Sequence, residues 1–285
     1  MNRQEFRFSQ RLRVRWAEVD MQKIVFNGHY LMYLDTAVAD YWRALSLPYE
    51  ETMHTLGGDL YVKKATLEYN ASARYDDTLD IGMRCAKIGN SSMQMLGGIF
   101  HGDKLLVSGE LLYVYADPTT QTSRRVPDSL RSLIEGFEKG EVMTRVKVGG
   151  WQELERDASR VRTEVFVEEQ GIAREDEWDE ADKSAVHAVV YNRMNMPLAT
   201  GRLLIAAPGV GKIGRMAAKR VLRGSQLGRQ ILDALTAKSK ARGDKEVILH
   251  AQRSAAGFYA KSGFIERGAP FDEVGIAHIE MYKTL

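Results

Sequence analysis

The sequence predicts two domains of different class: an α+β domain whose sheet wraps around one long helix, then an α/β domain with a mixed, largely antiparallel sheet. Three observations lead there. The 285 residues exceed the usual span of one core. A long apolar helical pattern from Gly28 is followed by four strand-like segments and few helical signals. Beyond residue 141 helical and strand patterns are interspersed instead.

Taken in order, Glu5 to Trp16 alternates loosely between polar and apolar residues, which reads as a strand with one wet face. A loop from Ala17 to Asn27 leads into YLMYLDTAVADYWRAL, where Tyr30, Leu31, Leu34, Val38, Tyr41, Trp42 and Leu45 recur at helical spacing. More than one stripe is apolar, so this helix is expected to be deeply buried and to end at Pro48. The strand segments DLYVKKATLEYNA, TLDIGMRCAKIG, SSMQMLGGIFHG and KLLVSGELLYVYA follow, parted by turns at Tyr75-Asp76-Asp77, Gly89-Asn90 and Gly102-Asp103. A helix from Pro127 to Glu138 is expected to close the domain.

The stretch EKGEVMTRVKVGG has no strong apolar period and sets the boundary near Glu141, giving domains 1–140 and 141–285. In the second, WQELERDASRVRTEVFVEEQ reads as helix, AVHAVVYNRMNMPLATGRLLIAA as a hairpin and GKIGRMAAKRV as a strand. Then SQLGRQILDALTAKSKARG reads as an amphipathic helix, EVILHAQ as a strand, SAAGFYAKSGF as a short helix and IAHIEMYKTL as a closing strand. Helices are expected on both faces of this sheet.

The 40 Lys and Arg against 38 Asp and Glu leave a formal charge of +2, too balanced to argue for a nucleic-acid partner. A single cysteine, Cys85, excludes an internal disulfide, and no Cys/His spacing matches a structural zinc site, so no metal is expected. Neither a signal-peptide pattern nor a membrane-spanning run is present in the sequence, which makes the cytoplasm the default location and a membrane partner unexpected.

Asp20 lies just before a helix start. A carboxylate there can attack a thioester carbonyl or activate water, while first-turn N–H groups can hold the developing oxyanion. The plainer account makes Asp20 a turn residue and Asn27 a helix cap. The run RVRWAEVDMQKIVFNGHYLMYLDTA, with Glu18, Asp20, Val25, Asn27 and Tyr30, resembles the hotdog-fold acyl-CoA thioesterases of the 4-hydroxybenzoyl-CoA thioesterase and YbgC-like families, over roughly residues 5 to 137. That resemblance implies that Asp20 is nucleophile or general base and that the backbone N–H near Asn27 polarises the carbonyl. It also implies a homodimer or larger assembly through this domain. Many relatives have a loop glycine and a later histidine; this chain has Lys23 in the loop and Asn27 at the later position. His29 is given no role.

Two glycine-rich runs occur in the second domain. Gly209 to Gly214 matches G-x-G-x-x-G but is followed by strand-like residues, so it reads as a loop and strand start and not as a nicotinamide-nucleotide site. Arg223-Gly-Ser-Gln-Leu-Gly228 leads straight into a helix, the context for a pyrophosphate, with a plain helix start capped by Ser225 as the simpler account. Together with FYAKSGF, RTEVFVEEQGIAREDEWDEADKSAVHAV, LHAQ and GIAHIEM, this run resembles the GNAT N-acetyltransferases, the ElaA-like branch in particular, over roughly residues 146 to 283.

The resemblance implies acetyl-CoA or another acyl-CoA as substrate and an amine as acceptor. It assigns Met216, Ala217 and Ala218 to the pantetheine arm and Arg223, Gly224, Ser225, Gln226, Leu227 and Gly228 to the pyrophosphate. Gln226 replaces a usual glycine. Tyr259 falls where a phenol protonates the departing thiolate, its alternative being an aromatic that packs beneath the cofactor. Of the acids Glu168, Glu169, Glu175, Asp176, Glu177, Asp179, Glu180 and Asp182, most read as a solvated loop, and Glu169 with Gln170 is the one expected at the substrate. His187, His250 and His278 receive no catalytic assignment. The expected function is a bifunctional acyl-CoA enzyme; the alternative is that one domain is silent and serves the other as acyl-CoA sensor or oligomerisation scaffold.

Overall fold

A computed structural model describes residues 1–273 and 275–285, with the side chain of Asp176, one of the acids named above, outside the described residues. The chain divides into two compact units, Met1–Met143 and Thr144–Leu285. Among the described residues no helix is long and apolar enough to cross a membrane.

In the first unit, β1 (Phe8–Arg13) precedes the long helix α1 (Asn27–Ala44), a short helix α2 (Tyr49–Leu56), strands β2 (Asp59–Tyr69), β3 (Thr78–Ile88), β4 (Ser92–His101) and β5 (Lys104–Ala116), and helix α3 (Asp128–Glu138). The strands form one antiparallel sheet in the order β1-β3-β4-β5-β2. Seven residues of α1, including Tyr30, Leu34, Tyr41 and Trp42, are buried. The sheet admits the helix because Gly97 and Gly109, opposite each other on β4 and β5, leave room for Leu34. A Cβ on either would stand 2.4 or 2.3 Å from that side chain.

Pro48 does not end α1, which stops at Ala44; Ser46 turns the chain in the left-handed region, and Pro48 is the N-cap of α2. A proline that cannot continue one helix can still begin another. The first strand is shorter than expected, with single 3₁₀ turns at Arg3–Glu5 and Trp16–Glu18 on either side.

The second unit runs β6 (Thr144–Gly150), α4 (Trp151–Arg162), a π-helical turn (Thr163–Glu169), α5 (Arg174–Glu177), β7 (Val186–Asn192), β8 (Pro197–Ala207), β9 (Val210–Ala218), α6 (Leu227–Arg242), β10 (Glu246–Gln252), α7 (Ala256–Ala260), β11 (Ile265–Glu273) and β12 (Ile276–Thr284). Its sheet has the order β11-β12-β10-β9-β8-β7-β6. Among the described residues only β9 and β10 pair in parallel. The two edge strands, β6 and β11, were not expected. β11 is exposed along nearly its whole length and β6 has no buried residue, so neither shows the alternation of buried and exposed positions that marks an interior strand.

The main core packs α6 and α7 against one face of the sheet, with Leu198, Leu203, Ile213, Leu222, Leu227, Ile231, Leu235, Leu249 and Phe264 all buried. On the other face α4 sets Leu154 and Ala158 against Val189 and Tyr191.

Candidate functional site

In the first unit the two acids of the Glu18-Val-Asp20 run have different surroundings. Glu18 is 3% exposed. Its Oε2 accepts the Tyr33 hydroxyl at 2.7 Å and the Arg15 backbone N–H at 2.7 Å, and its Oε1 the Arg15 guanidinium at 2.5 Å. Burial by itself would raise the Glu18 carboxyl, but these donors outweigh it and hold the group below the usual carboxylate range. Both oxygens are thus engaged. Asp20 is half-buried at a tight turn: its N–H donates to Ile24 O, its carbonyl accepts from Lys23 N–H, and its Oδ1 accepts from Gln22 N–H at 2.8 Å.

The turn needs a left-handed backbone at Lys23, φ 61°, which is where a glycine would be at ease. Asn27 is the first residue of α1 and not its cap; that place falls to Phe26, whose N–H donates to Glu18 O. First-turn N–H groups have no intrahelical acceptor, so those of Asn27 and Gly28 face outward from the helix start. Both residues are exposed. Val25 and Tyr30 anchor the loop from beneath: Val25 N–H donates to Ala73 O at 2.9 Å, and the Tyr30 hydroxyl accepts Ala73 N–H at 2.8 Å.

In the second unit the parallel ladder of β9 and β10 ends where Ile213 lies opposite Leu249. Past that point β9 stays paired with β8, where Thr200 lies opposite Ala217 and Ala199 opposite Ala218, while β10 follows β12. The strands therefore splay. Arg202 pairs with Gly214 and Thr200 with Ala217, so Arg215 and Met216 together oppose Gly201 in a β-bulge. Arg215 sits there at φ 52°, a left-handed conformation that costs a side-chain-bearing residue about 1–2 kcal/mol. The one sequence cue for this bulge is Gly214 just before it, a glycine inside a strand pattern.

Two clefts meet at the splay. The first, about 500 Å³, is lined by Met216, Ala217, Ala218, Leu222, Arg223, Gly224, Gln226, Leu227, Gly228, Phe258, Tyr259 and their neighbours. It gathers all the expected CoA-contacting residues except Ser225. Gln226, and not Ser225, is the N-cap of α6, with φ 61° and no side-chain cap bond. Gly224 has φ 91°. The first residues of α6, Leu227, Gly228 and Arg229, thus line the cleft, which has the positive end of the helix dipole at its wall. Arg229 and Lys261 add positive charge to the walls.

The second cleft, about 400 Å³, shares Met216, Ala255 and Tyr259 with the first and is otherwise lined by polar residues such as Gln170, Arg202, Arg215, His250, Gln252 and Glu273 interspersed with apolar ones such as Phe166, Ile172 and Leu249. Tyr259 is 8% exposed, and burial pushes its phenol up to about 12. It keeps its proton throughout the neutral range. The G-x-G-x-x-G run is no helix-entering loop: Gly209, φ 74°, turns the β8 to β9 hairpin, Gly211 and Gly214 lie on β9 itself, and the end of the run from Lys212 to Gly214 borders the second cleft.

Residues 154–285 match the family model of the acetyltransferase (GNAT) domain, and residues 14–134 that of the thioesterase-like superfamily. The uncharacterized N-acetyltransferase YjcF of Bacillus subtilis (strain 168) is 35% identical over 133 residues, covering 46% of this chain and 94% of that protein. The chain belongs to the GNAT acetyltransferase family, with a thioesterase-like domain earlier in its sequence. The uncharacterized protein YyaT of the same bacterium is 36% identical over 132 residues, 45% of this chain and 88% of its own length. The acyl-CoA thioester hydrolase YbgC of Escherichia coli O6:H1 is 27% identical over 131 residues, 46% of this chain and 96% of that protein.

Within the GNAT domain the acidic stretch is not simply a solvated loop. Glu177 and Asp182 are 1% and 2% exposed. Arg162, itself 1% exposed, bonds Glu177 at 2.5 Å and Asp182 at 2.8 Å between the rings of Trp151 and Trp178. Arg202 joins Asp182 at 2.8 Å to Asp179 at 2.6 Å. Charges this deep persist because each is paired. Glu169 lines neither cleft. Its two oxygens take the Arg223 guanidinium at 2.6 and 2.7 Å, which lowers its carboxyl below the usual range. Gln170 beside it does reach the second cleft and receives a bond from Gln252 at 3.3 Å.

Proposed function

We propose that the chain is a bifunctional acyl-CoA enzyme, which transfers an acyl group, acetyl first in line, from CoA to an amine in the GNAT domain and hydrolyses an acyl-CoA thioester in the thioesterase-like domain. The observation that carries the first activity is the splay of β9 and β10, with a buried, protonated tyrosine on the wall common to two clefts. In this reading CoA takes the cleft of the Arg223 to Gly228 turn. Its pyrophosphate meets the first N–H groups of α6, and its pantetheine arm follows Met216, Ala217 and Ala218. The amine enters from the other cleft, and Tyr259 gives its proton to the departing thiolate. Glu169 steadies Arg223 at the mouth of the turn, a contact on the cofactor side.

Hydrolysis rests on Asp20 as nucleophile or general base, with the N–H groups of Asn27 and Gly28 receiving the developing oxyanion. Glu18, with both oxygens engaged, supports the loop. The helix start carries exposed apolar groups, Phe26 at its cap and Leu31 and Met32 on α1, with Tyr69 of edge strand β2 bonded to Asn27 O at 3.3 Å, and Tyr61 and Val62 are exposed farther along β2; all six are 37% to 53% exposed. An apolar edge strand of this kind favours pairing, and in our reading a second copy of the domain covers it. Thiol release from acetyl-CoA and longer acyl-CoAs, measured with and without a panel of amines, tests both activities. A rate that no amine raises removes the transferase reading, and absence of any amine-independent release removes the hydrolase reading.

A further inference from the structure

The three histidines of the GNAT domain, equivalent as strand residues in sequence, have three different environments. His187 is 1% exposed, donates from Nε2 to Asp182 O at 2.9 Å and lies 4.7 Å from the Trp151 ring. Burial pushes its imidazole down, so it stays neutral. His278 is 9% exposed, with Nδ1 2.8 Å from Ile276 O. His250 differs from both. It follows Leu249, the last β10 residue in the ladder with β9, and its half-buried ring lines the second cleft together with Tyr259; His278 also borders that cleft, but its Nδ1 is engaged by Ile276 O.

Charged groups from three strands face this ring. Lys212 Nζ on β9 and Glu273 Oε2 on β11 each lie 3.4 Å from Nδ1, and Glu280 Oε2 on β12 lies 3.9 Å from Nε2. Glu280 also binds Arg267 at 2.6 Å. Phe271 lies edge-on to the ring at 4.9 Å. An imidazolium formed here would have a carboxylate beside each nitrogen. Other acids on the cleft wall are already committed to arginines: Glu177 to Arg162 and Asp179 to Arg202. Tyr259, protonated, is a donor.

We propose that His250 takes the proton from the acceptor ammonium in the second cleft, an inference that rests on the acyltransferase reading above. The ammonium loses one proton to the imidazole and becomes a free amine. Its lone pair forms the C–N bond as the C–S bond breaks. The thiolate takes a proton from Tyr259, and the protonated amide returns one to the tyrosinate, so one proton in all leaves through His250. Base assistance of this kind is worth about 10²- to 10⁴-fold.

The test compares wild type with His250→Gln and, should Gln perturb folding, His250→Asn, using acetyl-CoA with three alkyl amines (2-phenylethylamine, spermidine and Nα-acetyl-lysine) and with aniline, which is unprotonated at neutral pH. With an alkyl amine that wild type accepts, kcat/KM should fall at least about a hundredfold near neutral pH and recover as alkaline pH frees the amine. With aniline the loss should stay within about threefold, because no proton need be removed before attack. CoA affinity by calorimetry should be unchanged. Equal losses on alkyl amine and aniline, or an unaltered pH profile, would overturn the proposal, as would a matching loss of CoA affinity. Wild type that binds CoA yet transfers acetyl to none of the four amines would overturn the acyltransferase reading, and this inference with it.

Discussion

The loops that enter α1 and α6 share one feature and differ in another. Each places a side-chain-bearing residue in the left-handed region, Lys23 at φ 61° and Gln226 at φ 61°, where the resembled families commonly have glycine. Each helix start then leaves first-turn N–H groups without an intrahelical acceptor, for an oxyanion or a phosphate on the proposed reading. Their walls are not alike. Around Gly228 the chain itself supplies a cleft of about 500 Å³, walled by Leu222, Leu227, Phe258 and Tyr259. Around Asn27 the surroundings are open, with Met21 100% and Phe26 52% exposed. On the proposed reading the same backbone device binds within one chain in the GNAT domain, whereas in the thioesterase-like domain it needs further cover to exclude water, which a second copy would provide.

That comparison can be broken in several places. The largest effect is expected from Asp20→Asn, nearly isosteric, which should lower thioester hydrolysis by at least about a hundredfold and leave amine acylation untouched. Hydrolysis at the wild-type rate would make Asp20 a turn residue only. Next, Tyr259→Phe should slow transfer by roughly ten- to a hundredfold while CoA affinity stays within about twofold, since only the proton-donating hydroxyl is lost. The same change should flatten the alkaline loss of stability. With the phenol raised from 10.0 to about 12, the stabilisation is full below pH 10 and disappears as pH rises toward 12, because the unfolded chain ionises first. Chemical denaturation of both proteins across that window checks the sign.

Smaller effects test the α6 turn. Gly224→Val and Gly228→Leu should weaken CoA by about tenfold or more: the first forces φ 91° on a branched residue in the path of the ligand, and the second sets a side chain where a Cβ already lies 3.3 Å from Phe258. Gly209→Ala should spare CoA affinity but lower stability by about 1–2 kcal/mol, because φ 74° in the hairpin turn is costly for alanine. Smallest of all, Gln226→Gly should raise stability by up to about 1 kcal/mol, read as a modest increase in Tm. A drop on that substitution would mean that the Gln226 side chain holds the turn.

Most elements were legible because burial imposes a period. Leu34, Val38 and Tyr41 follow the buried face of α1, and Val247, Leu249 and Ala251 alternate inward along β10. The edge strands β6 and β11 escaped notice because their exposure leaves hardly any pattern to read, and β6 lies in the stretch used to set the domain boundary. The division at Met143 reflects the pairing of Thr144–Gly150 with β7, a long-range fact. At the candidate sites the sequence identified the loops but not their pairings. That Glu169 turns to Arg223, that Glu177 and Asp182 are buried around Arg162, and that Arg215 lies in a bulge all depend on contacts between distant segments. The difference between Glu18 and Asp20 likewise depends on Tyr33, fifteen residues on.

The central claim, two separate acyl-thioester sites in one chain, is tested most directly by following thiol release from one acyl-CoA in wild type, Asp20→Asn, Tyr259→Phe and the double variant, each with and without an accepted amine. The account predicts that Asp20→Asn loses the amine-independent rate and keeps the amine-dependent increment, that Tyr259→Phe does the reverse, and that the double variant loses both. Proportional loss of both rates in either single variant would contradict it, because the two reactions would then share one site.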